Sequence, residues 1–150
     1  MKSKAIKIEF SRSLLVDRIP RKGSHERVVA EAAECAMLAQ RFSIHAVHKL
    51  SALLLAVPWR GGGVKVTGTV EAEVEQISVV SLEAFASRKS FHVERYFMPA
   101  NKLHDHEEVD ADPIVDGIID LGDIVAETLG LELDPYPRLP GEAFTLEPKN

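Results

Sequence analysis

Two groups of residues in this 150-residue chain have the types to do chemistry. Arg12, Arg18, Arg21, Lys22 and Arg27 belong to a first stretch of 27 residues with eight basic and three acidic side chains, whereas the rest of the chain carries ten and twenty. Cations at that density suit phosphate or an acidic protein surface, and the acidic bulk repels nonspecific nucleic acid. Such residues also serve as ordinary solvated surface. The second group is His104-Asp105-His106-Glu107-Glu108-Val109-Asp110-Ala111-Asp112, in which imidazole and carboxylate together suit a divalent ion and hence metal-assisted hydrolysis. Its spacing matches no EF-hand loop, and it lacks the glycine that such a loop needs for its turn. Residues 101–116 read better as a flexible acidic connection, so no metal ligand and no cofactor is assigned.

Other candidates are weaker. Glu71, Glu73 and Glu75 share one strand face, where a paired-carboxylate site is imaginable, but three solvent-facing acids also keep a long apolar hairpin soluble. His45 and His48 have opposite strand parity and are not expected to share a metal. The single cysteine, Cys35, excludes an intrachain disulfide and a cysteine-based zinc site, and it reads as a buried helix residue. Trp59 sits at a loop, where it stacks on a base or covers the core edge. The phosphate-binding patterns GxGxxG and GxxxxGK[ST] do not occur, nor do GxSxG, HExxH or CxxC. No catalytic residue is assigned, and a binding or assembly factor is the expectation.

The elements that must position these side chains follow from patterning. At 45% hydrophobic content the chain is long enough for one domain, residues 1–150, with a real core. No apolar stretch follows the basic start, and the longest apolar run, 52–59, falls short of a membrane span, so a cytoplasmic protein without a membrane partner is expected. Residues 64–82 alternate, with Val64, Val66, Val70, Ala72 and Val74 on one parity and Lys65, Thr67, Thr69, Glu71, Glu73 and Glu75 on the other. With residues 44–57 and the glycines 61–63 between them, they predict an antiparallel hairpin. At Gln76 the parity slips, which predicts a bulge or a strand end covered on both sides. Residues 4–10 and 89–98 read as further strands, and 12–24 as loop. Residues 27–31 then form a short strand and 33–42 a helix with Cys35, Leu38, Ala39 and Phe42 at helical spacing. Asp120 caps a second helix that Gly130 ends in the left-handed conformation. Three prolines within 135–140 favour an extended tail over 134–150, a docking peptide or a tether.

Several of these segments together resemble a known family. Gly68-Thr69-Val70-Glu71-Ala72-Glu73-Val74-Glu75-Gln76, then Val79-Val80-Ser81-Leu82-Glu83, then residues 116–127 around Asp120-Leu121-Gly122 and Glu127, and finally Leu133-Asp134-Pro135-Tyr136-Pro137-Arg138 are similar to the YceD family, the bacterial large ribosomal RNA subunit accumulation proteins, and most of all to its alphaproteobacterial branch. Ala39-Gln40-Arg41-Phe42 fits as well. The resemblance implies a non-enzymatic role in accumulation of large-subunit ribosomal RNA and biogenesis of the large subunit. Ser78 stands where many members carry cysteine, and Ser81 where threonine is usual, so a redox or metal role built on that cysteine has no residue here.

The expected fold is α+β: an antiparallel sheet of four to five strands built on the central hairpin and covered by two short helices. The expected partner is ribosomal RNA or a pre-ribosomal particle, met directly or through a ribosomal protein, with no small-molecule substrate. Arg12, Arg18, Arg21, Lys22 and Arg27 are the candidate RNA contacts, and Asp134, Tyr136 and Arg138 the candidate protein contacts. A protein-binding adaptor without RNA contact, and a hydrolase using His104 and His106, are the alternatives.

Overall fold

Period-two alternation dominates the sequence, and strands dominate the fold. A computed structural model describes residues 9–105, 110–139 and 141. In chain order the elements are β1 (Ser13–Leu15), β2 (Ser24–Val29), α1 (Ala32–Phe42), β3 (Ala46–Trp59), β4 (Gly63–Ile77), β5 (Ala84–Pro99), β6 (Ala111–Ile114), β7 (Ile118–Asp120) and α2 (Leu121–Glu132). Three-residue 3-10 turns at Val16–Arg18 and Arg60–Gly62 and a longer one at Ala100–Asp105 connect them. Strands β2-β3-β4-β5-β6 form one five-stranded sheet, and β1 pairs with β7 in a separate two-stranded ribbon.

One face of the large sheet is the core. Leu50, Ala52, Leu54 and Ala56 of β3 and Val64, Val66, Val70, Ala72 and Val74 of β4 are buried on that face. Cys35, Leu38 and Ala39 of α1 and Leu121, Ile124, Val125 and Leu129 of α2 join them in one apolar cluster. The helical spacing of those residues explains why each helix turns a single stripe toward the sheet. The opposite face is open. In-register partners Arg27, Leu53, Thr69 and His92 cross it as a row of four exposed side chains, with Leu53 63% exposed. Gly68 sits mid-strand because β3 comes too close for a side chain: a Cβ there would lie 2.1 Å from the Leu53 carbonyl oxygen.

Several expectations are corrected. The fold is α+β with two helices, but its sheet is mixed, because β6 runs parallel to β5 with Tyr96 opposite Ala111. The connection expected as an acidic flexible loop over 101–116 therefore contains an edge strand, whose Pro113 is tolerated because an edge needs only one side of its ladder. Eleven residues separate β5 from β6, near the length that a parallel connection requires. The strand expected over 89–98 starts earlier, at Ala84: β5 is 16 residues long and pairs with β4 from Val64↔Phe97 to Ile77↔Ala84, making a three-stranded meander. Residues 12–24 are not all loop, since β1 lies within them and β2 starts at Ser24. Most of the strand expected over 4–10 lies outside the described residues.

The parity slip at Gln76 has no bulge behind it. Register with β5 runs unbroken there, and Gln76 and Ser78 continue the buried row at 5% and 0% exposure. The register shift lies instead on β3, between Val47 and Lys49, and it overturns the expectation that the two histidines point to opposite sides. His48 Nε2 lies 2.7 Å from Glu75 Oε1 and His45 Nε2 3.7 Å from Glu75 Oε2, so both approach one carboxylate. Gly130 does not end α2; the helix continues to Glu132 and is capped at Leu133. Its glycine accommodates a neighbour, since a Cβ would lie 2.6 Å from Cε1 of Phe42.

Candidate functional site

The basic N-terminal residues divide into one anchor and four displayed charges. Arg12 Nη1 donates to Glu34 Oε2 at 2.8 Å and Nη2 to Glu34 Oε1 at 2.9 Å, while Nη2 also donates to the Val29 carbonyl. The pair raises the Arg12 pKa and holds the Glu34 carboxyl below its ordinary range, in each case chiefly through this hydrogen bonding. Arg12 thus ties β1, β2 and α1 together. Arg18, Arg21, Lys22 and Arg27 are exposed. Arg18 closes the first 3-10 turn and Arg27 stands on the open sheet face, whereas Arg21 and Lys22 occupy the tight turn that Gly23 ends.

That turn lies at one end of the sheet. Ser24 pairs with Ala56, and Gly23 packs so closely on β3 that a Cβ would meet Val57 Cγ1 at 2.7 Å. Val57 is opposite Lys65, and Lys65 opposite Tyr96. At the same end the Trp59 and Tyr96 rings approach to 4.8 Å between centroids at 55°. The Arg60 guanidinium lies 4.8 Å over Trp59 and the Lys65 ammonium 5.6 Å from the Tyr96 centroid. Glu94 borders the group, accepting from the Tyr96 hydroxyl at 2.7 Å and lying 3.7 Å from Lys65 Nζ. Hydrogen bonding from Tyr96 is the main reason its carboxyl is held down. Of these residues sequence reasoning singled out only Trp59. Lys65 and Tyr96 were visible as polar-parity positions, but their pairing required the β4–β5 register.

The residues that carry the family resemblance pin the two ends of the fold. Asp120 caps α2, accepting from the Asp123 amide at 3.2 Å, and its carboxylate also accepts from the Arg12 amide at 2.8 Å and the Ser11 hydroxyl at 2.7 Å. Leu121 is buried and donates its amide to the Arg12 carbonyl. Gly122 lets the chain just before β1 cross, since a Cβ would lie 2.7 Å from the Phe10 carbonyl oxygen and 2.8 Å from Ser11 Cα. Glu127 and Asp112 both accept from Arg95, binding α2 and β6 to β5. Burial works against the Arg95 charge, but these two carboxylates outweigh it and raise its pKa.

At the other end Gln76 Nε2 donates to the Asp134 carbonyl at 3.1 Å, and the Val79 amide donates to the Pro137 carbonyl at 2.8 Å. Pro137 is buried, whereas Pro135 and Arg138 are exposed. Asp134 Oδ1 accepts from the Tyr136 amide, turning the Tyr136 ring outward to 65% exposure. Ser78, buried here, accepts from the Val80 and Ser81 amides and shapes the β4–β5 turn. Cys35 is buried, which pushes its thiol pKa up.

The hydrolase alternative rests on the His104 side chain and on His106, which lie outside the described residues. Among the described residues no group of three or more His, Cys, Asp and Glu side chains is placed to hold a metal ion. Among them, too, no helix is long and apolar enough to cross a membrane.

No curated protein and no solved structure matches the chain. One family does: the sequence model described as "Large ribosomal RNA subunit accumulation protein YceD" matches residues 66–149, from β4 through β5, β6, β7 and α2 into the tail. The match spans more than half of the chain and includes Gly68, Gln76, Asp120, Leu121, Gly122, Glu127, Pro135 and Pro137, so this protein belongs to the YceD family.

Proposed function

We propose that this protein is a cytoplasmic, non-enzymatic factor that supports accumulation of large-subunit ribosomal RNA and biogenesis of the large ribosomal subunit. The family match over residues 66–149 carries the reading. The placement of charge supports its physical side: Arg18, Arg21, Lys22 and Arg27 are exposed on a chain whose remainder is acidic, a distribution suited to phosphate contact at a defined patch. Arg12 stands apart as the anchor of β1. The tail supplies a second surface, with Tyr136 displayed between Asp134 and Arg138 on a backbone held by Gln76 and Val79, suited to a ribosomal protein or another assembly factor.

The test is the ratio of large- to small-subunit ribosomal RNA in cells lacking the gene, with and without re-expression. A ratio that falls and recovers is expected; an unmoved ratio in impaired cells overturns the reading. Re-expression of a variant with Arg18, Arg21, Lys22 and Arg27 all changed to Glu tests the surface, and it is expected to leave the ratio low. The displayed Tyr136 favours a second reading, an adaptor that binds protein alone. Salt separates the two, because phosphate contacts weaken steeply as salt rises and take the variant's deficit with them.

A further inference from the structure

The open end of the sheet carries more than charge. Trp59, Lys65 and Tyr96 lie on the strand parity opposite to the buried row, so the two rings stand on the face that neither helix covers. They are half-buried and held in place: each ring has the other beside it, Trp59 has Arg60 over it, and the Tyr96 hydroxyl is fixed on Glu94. On the same parity Gly63 lies so close to the fully buried Met98 that a Cβ would meet its Sδ at 2.6 Å, which packs the sheet tightly at this end. Arg21 and Lys22 reach the same end on the Pro20–Gly23 turn beside Val57, the cross-strand partner of Lys65.

Rigid aromatic rings edged by cations are what an unpaired nucleic-acid strand requires. The bases stack on the rings and on a guanidinium plane, and the phosphates between them meet the ammonium and guanidinium groups. A duplex cannot use the rings, because its bases are already stacked on one another. We infer that Trp59, Arg60, Lys65 and Tyr96, with Arg21 and Lys22 beside them, form a stacking platform for unpaired bases of RNA. The inference rests on the RNA-contact reading above and adds what that reading lacks, a preference for single strands.

Trp59 is the sole tryptophan in the sequence, so its fluorescence reports the platform directly. The full chain is titrated with a mixed-sequence 12-nucleotide single-stranded RNA, with the same RNA as a duplex, and with polyglutamate of equal charge. Quenching of Trp59 by the single strand, and little by the other two, is the expected result. Binding is measured separately by anisotropy of labelled RNA for Trp59→Leu, Tyr96→Ala and Tyr96→Phe. The first two are expected to lose about tenfold in single-strand affinity, the scale of one stacked base, while Tyr96→Phe keeps its ring and most of its affinity. Arg21→Glu with Lys22→Glu is expected to weaken single strand and duplex alike. Binding of both RNAs without quenching, and unchanged in the ring variants, overturns the platform and leaves the phosphate reading standing. Equal quenching by polyglutamate likewise overturns base stacking. If neither RNA binds at all, both readings fall. The quenching arm uses the unaltered protein, so a ring variant that fails to fold does not shelter the inference.

Discussion

Arg12 and Glu34 meet fork to fork, both guanidinium ends on both carboxylate oxygens, and so join β1 to the first turn of α1. Glu34 Oε1 also accepts the Glu31 amide at 2.8 Å, so the same carboxylate closes the start of the helix. Removing the arginine leaves that cap and the pairing of β1 with β7 but breaks the tie to α1. Arg12→Ala is expected to cost about 1 kcal/mol, the scale of a partly exposed bidentate pair, seen as a lowered thermal midpoint. Arg12→Lys is expected to recover little, because an ammonium cannot fork. The pH dependence follows from the lowered Glu34 pKa: the contribution is complete above the ordinary carboxylate range and is lost as pH falls through the depressed value. Stability measured from pH 7 down to 2 is expected to fall less steeply in the Ala variant than in the parent.

Asp123 carries the opposite sign. Burial, then the charges of Glu127 and Asp120, hold its carboxyl above the ordinary range. Its ionisation therefore weakens the fold as pH rises through that raised value. Asp123→Asn is expected to raise the denaturation midpoint at pH 7, with the difference from the parent vanishing in acid; no gain at pH 7 would refute it.

Gly122 sets two effects against each other. In a helix glycine costs about 1 kcal/mol relative to alanine, so Gly122→Ala gains that much in isolation. Here, however, the new methyl meets backbone at 2.7 and 2.8 Å, and neither the Phe10 carbonyl nor Ser11 Cα moves as a side chain would. Overpacking against backbone costs about 1–3 kcal/mol and wins. Loss of amide protection at Arg12 and Leu121 is expected to accompany the lowered stability, because β1 must lift for the methyl to fit.

Gln76 holds the tail. With the carboxamide removed, the Asp134 carbonyl loses its donor, a cost of about 1 kcal/mol. Gln76→Ala is expected to speed tryptic cleavage after Arg138 several-fold while the core remains resistant. An unchanged cleavage rate would show that the Val79–Pro137 bond holds the tail alone.

The meander and both helices were legible because their signals are local. Alternation marks β4 from its own residues, and Asp120 announces the start of α2 by being an acid at the right place. What was not legible depends on distant partners. β1 and β7 are three residues each and have no periodicity to show; they exist because each pairs with the other. β6 hides in acidic composition, and its parallel direction is a property of β5. The bulge at His48 and the glycine at 130 answer to Glu75 and Phe42, which no window around either position contains. Of the proposed RNA contacts, charge located four exposed cations, but only the fold separates Arg12 from them and sets the Arg21–Lys22 turn beside Val57.

The Ser11 hydroxyl and the Asp120 carboxylate that accepts from it are 109 positions apart in the chain. On a ribosome adding about 5–20 residues each second, the first strand waits roughly 5–20 s before the helix start that receives it has been made. In the last part of that interval, once Pro99 has been made, the meander can close while Phe10 and Leu14 have no ribbon to join. The Phe10–Leu15 segment is thus among the last to settle, and a block to its docking would be felt at α2 rather than at the strands translated just after it.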